Sequence, residues 1–128
     1  MEQLLAHLVG DYVLQSEWMA IKKTEKWWPA IVHGFVYAIP FLLITTSFWA
    51  LAVIISTHIV IDRYRLAKIL MWARNFLAPV GAQTERLSAF RKRTKTSNTP
   101  EFIFFWLMVI VDNTMHLSIN FFAIKYLG

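Results

Sequence analysis

The chain has 128 residues, 57% of them hydrophobic and 16% aromatic, more apolar than an ordinary soluble domain and long enough for one domain. It has no cysteine, which excludes disulfides and thiolate metal sites. The net charge of +5 is gathered into two clusters beside apolar segments, which reads as membrane topology, and no nucleic-acid partner is expected.

The first predicted helix covers about 3–21. Its start has no basic n-region, and Glu2, His7 and Asp11 interrupt the apolar run, so it does not read as a cleavable signal. His7, Asp11 and Gln15 recur at four-residue spacing and share one helical face. Lys22, Lys23 and Lys26 follow as the first basic cluster. A second helix is expected over about 28–45, with Pro29 in its first turn and a kink at Pro40. It carries His33, and Tyr37 one turn on, for which interhelical packing is the favoured role.

Residues 27–61 hold no formal charge, too long a stretch for one span and suited to a helical hairpin turning near Thr45, Thr46 and Ser47. The third helix, about 48–72, carries His58 and Asp62 and ends in a basic amphipathic stretch that includes Arg65. The charged, Pro- and Gly-containing stretch 74–100 reads as a loop; with nine basic residues between Arg63 and Lys95, it would meet anionic lipid headgroups at the membrane surface. The fourth helix, about 101–125, carries Asp112, His116 and Asn120. The expected fold is therefore all-α: a polytopic transmembrane four-helix bundle, with residues 1–128 forming a single membrane domain. Both basic clusters fall on the cytoplasmic side, and both termini on the other.

All three aspartates of the chain lie four residues from a histidine: His7 and Asp11, His58 and Asp62, Asp112 and His116. Cβ atoms at that spacing are about 5–6 Å apart on a helix. The order of the pair reverses in the fourth helix, which runs outward where the first and third run inward. All three pairs thus have one polarity in space, aspartates toward the cytoplasm and histidines away from it. At a rise of about 1.5 Å per residue, Asp11 and Asp112 lie at similar depths, and Asp62 sits nearer the cytoplasmic end. Burying one charged carboxylate at mid-membrane costs about 2.5–3.5 kcal/mol on insertion scales, so three need partners.

His33 gives the remaining helix a ligand-capable residue. The expected metal ligands are His7, Asp11, His33, His58, Asp62, Asp112 and His116, holding a divalent metal: zinc first, manganese or iron(II) as alternatives. Water activated by such a metal, with one of Asp11, Asp62 or Asp112 as general base, defines a metal-dependent hydrolase of a lipid or lipid-linked substrate. Gln15, Arg65 and Asn120 are the expected substrate contacts. Two other classes remain open: a proton or metal-ion transport protein, and an accessory membrane protein whose polar core is structural. Homo-oligomer formation is likewise open.

The segments from Ala6 to Ala20, Val32-His33-Gly34, Thr57 to Arg63 and Asp112 to His116 resemble a family of small integral membrane proteins of bacteria and phages that carries a domain of unknown function. Its His-x-x-Gly-Asp-Tyr-x-Leu-Gln signature stands here as His7 to Gln15. The resemblance covers nearly the whole chain apart from the 74–100 loop. It implies a bacterial inner membrane location, in the host cell for a phage protein, and marks these His and Asp positions as the family signature. A looser similarity, to helical membrane proteins with His-rich spans grouped as metal-dependent hydrolases, agrees with the catalytic expectation by analogy.

Overall fold

A computed structural model of the protein describes residues 1–74 and 101–128. Among them every regular element is helical, as the composition leads one to expect. Two compact units are present, one of Met1–Arg65 with Asn113–Gly128 and one of Leu66–Asp112. The basic run from Arg91 to Lys95 lies outside the described residues.

The expected first helix is broken into three pieces. Helix α1 (Glu2–Leu8) passes into a π-helical turn, Val9–Val13, closed by Leu14 N–H donating to the Val9 carbonyl at 2.9 Å. Such turns insert an extra residue per turn and recur at functional sites. Ser16 then starts α2 (Glu17–Lys22): its hydroxyl accepts from Met19 N–H, with Glu17 in the first turn. A serine so placed satisfies an otherwise orphaned helix donor, so the chain restarts its helix there. Gln15 consequently lies between helices and not on a stripe with His7 and Asp11.

Helix α3 (Trp27–Ala38) tightens into a 3-10 turn, Ile39–Leu43. The cause is Pro40, which has no N–H to continue the α-helical ladder. The hairpin turn falls where expected: Thr45 Oγ1 accepts from Ser47 N–H at 3.1 Å, and Ser47 caps α4 (Phe48–Tyr64). The Ser47 hydroxyl also donates to the Leu127 carbonyl. The expected third helix does not reach residue 72. It stops at Arg65, whose backbone is left-handed at φ 52° and ψ 50°, and α5 (Leu66–Ala73) follows in the second unit. The last helix, α6 (Glu101–Leu127), is continuous.

Within the first unit α3 packs along α4. Gly34 faces Ile59 and Gly10 faces the Tyr37 backbone, both too closely for a Cβ. A small apolar cluster of Ala6, Tyr37, Phe41, Ile54 and Ala123 fills one part of the interior. Eight polar side chains are buried as well: His7, Asp11, His33, Thr45, His58, Asp62, His116 and Asn120. Many large apolar side chains point outward, with Leu43 92%, Phe48 73%, Trp49 69% and Trp28 68% exposed. In water the opposite distribution is the rule. Among the described residues one helix, Phe102–Leu127, is long and apolar enough by itself to cross a membrane; Trp27–Leu43 is apolar but shorter. Four spans are expected from the sequence; one helix among the described residues meets the length and composition of a span.

Candidate metal centre

Four buried side chains from three segments converge. The π-turn presents Asp11, α3 presents His33, and α4 presents His58 and Asp62, each with a donor atom within 4.8 Å of the others. His33 Nε2 lies 3.0 Å from His58 Nε2, 3.1 Å from Asp11 Oδ1 and 3.2 Å from Asp62 Oδ2. His58 Nε2 lies 3.4 Å from Asp11 Oδ1 and 3.2 Å from Asp62 Oδ2.

A carboxylate oxygen only accepts, and each imidazole Nε2 carries at most one hydrogen. Five approaches of 3.0–3.4 Å therefore share at most two protons from the four groups themselves. A cation at the centre would serve all four donors at once. With bonds of about 2.0 Å, the donors of a tetrahedral zinc site are about 3.3 Å apart. Five of the six donor pairs lie 3.0–3.4 Å apart and all within 4.8 Å, and two imidazoles with two carboxylates also suit manganese or iron(II). These residues could hold a metal ion.

A positive group already reaches the cluster. The Lys23 ammonium lies 2.7 Å from Asp62 Oδ2 and 3.2 Å from His33 Nε2, and its side chain is only 15% exposed. Its neighbour Lys22 turns outward to Glu25 at 2.7 Å, holding that exposed carboxyl below its usual range.

Around the four donors runs a second set of hydrogen bonds whose polarity can be assigned. Asn113 Oδ1 can only accept, so His7 Nε2 donates to it at 2.8 Å; Tyr12 donates to the same oxygen at 3.1 Å. The Nδ1 of a neutral His7 then accepts from the Tyr37 hydroxyl at 2.8 Å. That hydroxyl in turn accepts from Asn120 Nδ2 at 2.6 Å. His58 Nδ1 and His116 Nδ1 are 3.1 Å apart, and His116 Nε2 lies 3.5 Å from Asp62 Oδ1. A ligating histidine commonly uses its other nitrogen this way, which fixes the ring.

The seven sequence-derived ligand candidates thus take different places. Asp11, His33, His58 and Asp62 share one centre. His7 stands behind it, its Nδ1 3.7 Å from Asp11 Oδ2, and His116 stands behind His58. Asp112 is one turn before His116 on α6, partly exposed, and belongs to the second unit. Of the expected substrate contacts, Asn120 is buried and bonded to Tyr37, and the exposed Arg65 donates to Thr24 Oγ1 at 3.3 Å. Gln15 has a buried Oε1 with no hydrogen-bond partner among the described residues.

Two contributors escape the four-residue spacing rule: Lys23 and Asn113. Tyr37 obeys it, one turn after His33 on the same face, and its hydroxyl adds hydrogen bonds to the packing role expected of it. Arg63 is also more than a topology charge. It donates to the Thr24 and Glu25 carbonyls at 2.6 and 3.3 Å and lies over Trp27, fastening the Lys23–Lys26 turn to the end of α4.

A protein helical throughout its described residues, with a buried His/Asp cluster able to hold a metal ion, is the class these features define. The chain belongs to the family described as "Protein of unknown function (DUF3307)", whose family model matches residues 1–127. No curated protein and no solved structure matches it.

Proposed function

We propose that the chain is an integral membrane protein that holds one divalent metal ion between Asp11, His33, His58 and Asp62. The observation that carries this reading is the set of five donor separations of 3.0–3.4 Å among four buried groups. Membrane embedding is supported by the reversed distribution of side chains, with polar groups inside and large apolar ones outside. Buried ionisable groups in spans are costly and mark functional sites. The apolar stretches around α3, α4 and α6 supply the spans, and the lysine turn and the end of α4 lie at the cytoplasmic face.

The reaction we assign is hydrolysis of an ester, amide or phosphodiester in a membrane lipid or lipid-linked substrate. The metal would supply Lewis acidity and an activated water at neutral pH. Asp11 and Asp62 hold the charge of the centre, and Asp62 Oδ1, the oxygen outside the five donor separations, is the one placed to take a proton. His116 orients His58, and Tyr37 with Asn120 and Asn113 orients His7 behind Asp11.

One observation favours a second reading. His33, His58 and His116 form a chain of imidazoles with nitrogen separations of 3.0 and 3.1 Å. Such a chain can pass protons, which suits proton-coupled transport.

The test is elemental analysis of protein purified in detergent without a His tag or added metal, beside Asp11→Asn/Asp62→Asn. Near-stoichiometric zinc, manganese or iron that is lost in the variant supports the centre and justifies a screen of lipid substrates. A folded protein that neither contains nor takes up metal overturns it.

A further inference from the structure

Lys23 looks from its position like one of three topology lysines, but its ammonium enters the cluster. We infer that Lys23 is the built-in counter-cation of the metal-free centre, and that a divalent metal ion takes the centre by displacing it. The inference rests on the metal-centre reading above and adds to it a residue that controls occupancy.

Mutual exclusion carries the argument. His33 Nε2 has a single lone pair: in the Nδ1–H tautomer it accepts from Lys23 Nζ at 3.2 Å, and in the Nε2–H tautomer the same nitrogen donates to Asp11 Oδ1 at 3.1 Å instead. Coordination to a metal uses that same lone pair. Asp62 Oδ2, 2.7 Å from Nζ, is the second shared atom. The two cations therefore compete for the same electrons.

Charge points the same way. Asp11 and Asp62 bring two negative charges to a site with little solvent, and one ammonium cancels only half. A divalent ion cancels both, and a retained ammonium would then face a like charge at close range. A monovalent alkali ion offers no such gain over a tethered ammonium that already makes hydrogen bonds. The site as built thus selects for divalent ions.

The chain also allows Lys23 to leave. It is the C-cap of the short helix α2 and opens the turn in which Glu25 and Lys26 N–H donate to the Lys22 carbonyl. Arg63 holds that turn by its backbone carbonyls. The lysine stem, with four rotatable carbons, can therefore swing outward while its backbone stays in place.

Two measurements on the full chain in detergent test this. The first is zinc affinity, read by competition with a chromophoric chelator, for chelator-stripped wild type and Lys23→Met. If Lys23 fills the centre about nine-tenths of the time, its removal tightens zinc binding about tenfold. The second uses the unaltered chain: an amine-acylating reagent is applied with and without zinc, and modified lysines are mapped by mass spectrometry. Acylation of Lys23 should rise severalfold on zinc loading while that of Lys22 stays constant. Zinc binding with unchanged affinity in the variant, or unchanged Lys23 acylation on loading, overturns the inference and leaves the metal centre standing. Failure of both proteins to bind zinc overturns the two together.

Discussion

The Tyr37 ring lies flat on the His58 imidazole, with centroids 3.6 Å apart and planes 12° from parallel. One side chain thereby does two jobs. Its face fixes the His58 ring, whose Nε2 points into the cluster, and its hydroxyl ties His7 to Asn120. Tyr37→Phe separates them, because it keeps the stack and removes the hydroxyl. The variant leaves two buried polar groups short of a partner, each costing about 1–3 kcal/mol. We expect a lower unfolding midpoint in detergent with metal content retained. An unchanged midpoint would mean that the hydrogen bonds through Tyr37 contribute nothing net.

The inner and outer groups should respond differently to substitution. Asp11→Asn, Asp62→Asn, His33→Gln and His58→Gln each remove or weaken a donor, and each should strip the metal from the purified protein. His7→Gln and His116→Gln act through another residue and should reduce metal affinity by about 10–100-fold without abolishing it. Metal titration of the six variants decides the assignment. Equal losses in all six would place His7 and His116 among the ligands, as the spacing of the pairs by itself suggests.

The pairs are legible in the sequence because residues four apart share a helical face, and a buried carboxylate needs a partner. Which donors meet at one centre is less legible, because that depends on where helices stop being regular. The π-turn at Val9–Val13 and the left-handed Arg65 alter the register around Asp11 and just after Asp62, and neither has an apolar-period signal. The restart at Ser16 does have a signal, a capping serine followed by Glu17. Lys23 is hidden for another reason: a lysine in a turn between apolar segments reads as a flanking charge whichever way its long side chain bends.

The two interior glycines predict different outcomes when given a methyl group. A Cβ on Gly10 would sit 2.8 Å from the Tyr37 carbonyl oxygen and 3.2 Å from its Cα, so backbone would have to move. Gly10→Ala should cost at least about 1–3 kcal/mol as an overpacked contact and shift the adjacent Asp11, with loss of metal. A Cβ on Gly34 would meet the Ile59 side chain, with the Ile55 carbonyl oxygen 3.5 Å away. Gly34→Ala should therefore be rescued by Ile59→Ala, whereas no side-chain truncation at Tyr37 rescues Gly10→Ala. Unfolding midpoints of the single and double variants provide the comparison, and rescue of Gly10→Ala by Tyr37→Ala would refute the backbone clash.

Arg65 offers the last test, through its backbone. Its φ of 52° is the one positive value among the described non-glycine residues, and it lets the Arg65 N–H donate to the Asp62 carbonyl at 3.3 Å. A non-glycine residue in this conformation costs about 1–2 kcal/mol, a cost glycine avoids. Against that gain, Arg65→Gly loses one exposed hydrogen bond to Thr24, which contributes little in water. The expected result is a variant at least as stable as wild type. Arg65→Val, whose branched Cβ is disfavoured there, should be clearly less stable. If Arg65→Gly instead destabilises the protein as much as Arg65→Val does, the guanidinium and not the backbone is what position 65 supplies. The break after α4 would then be held by the Arg65–Thr24 contact.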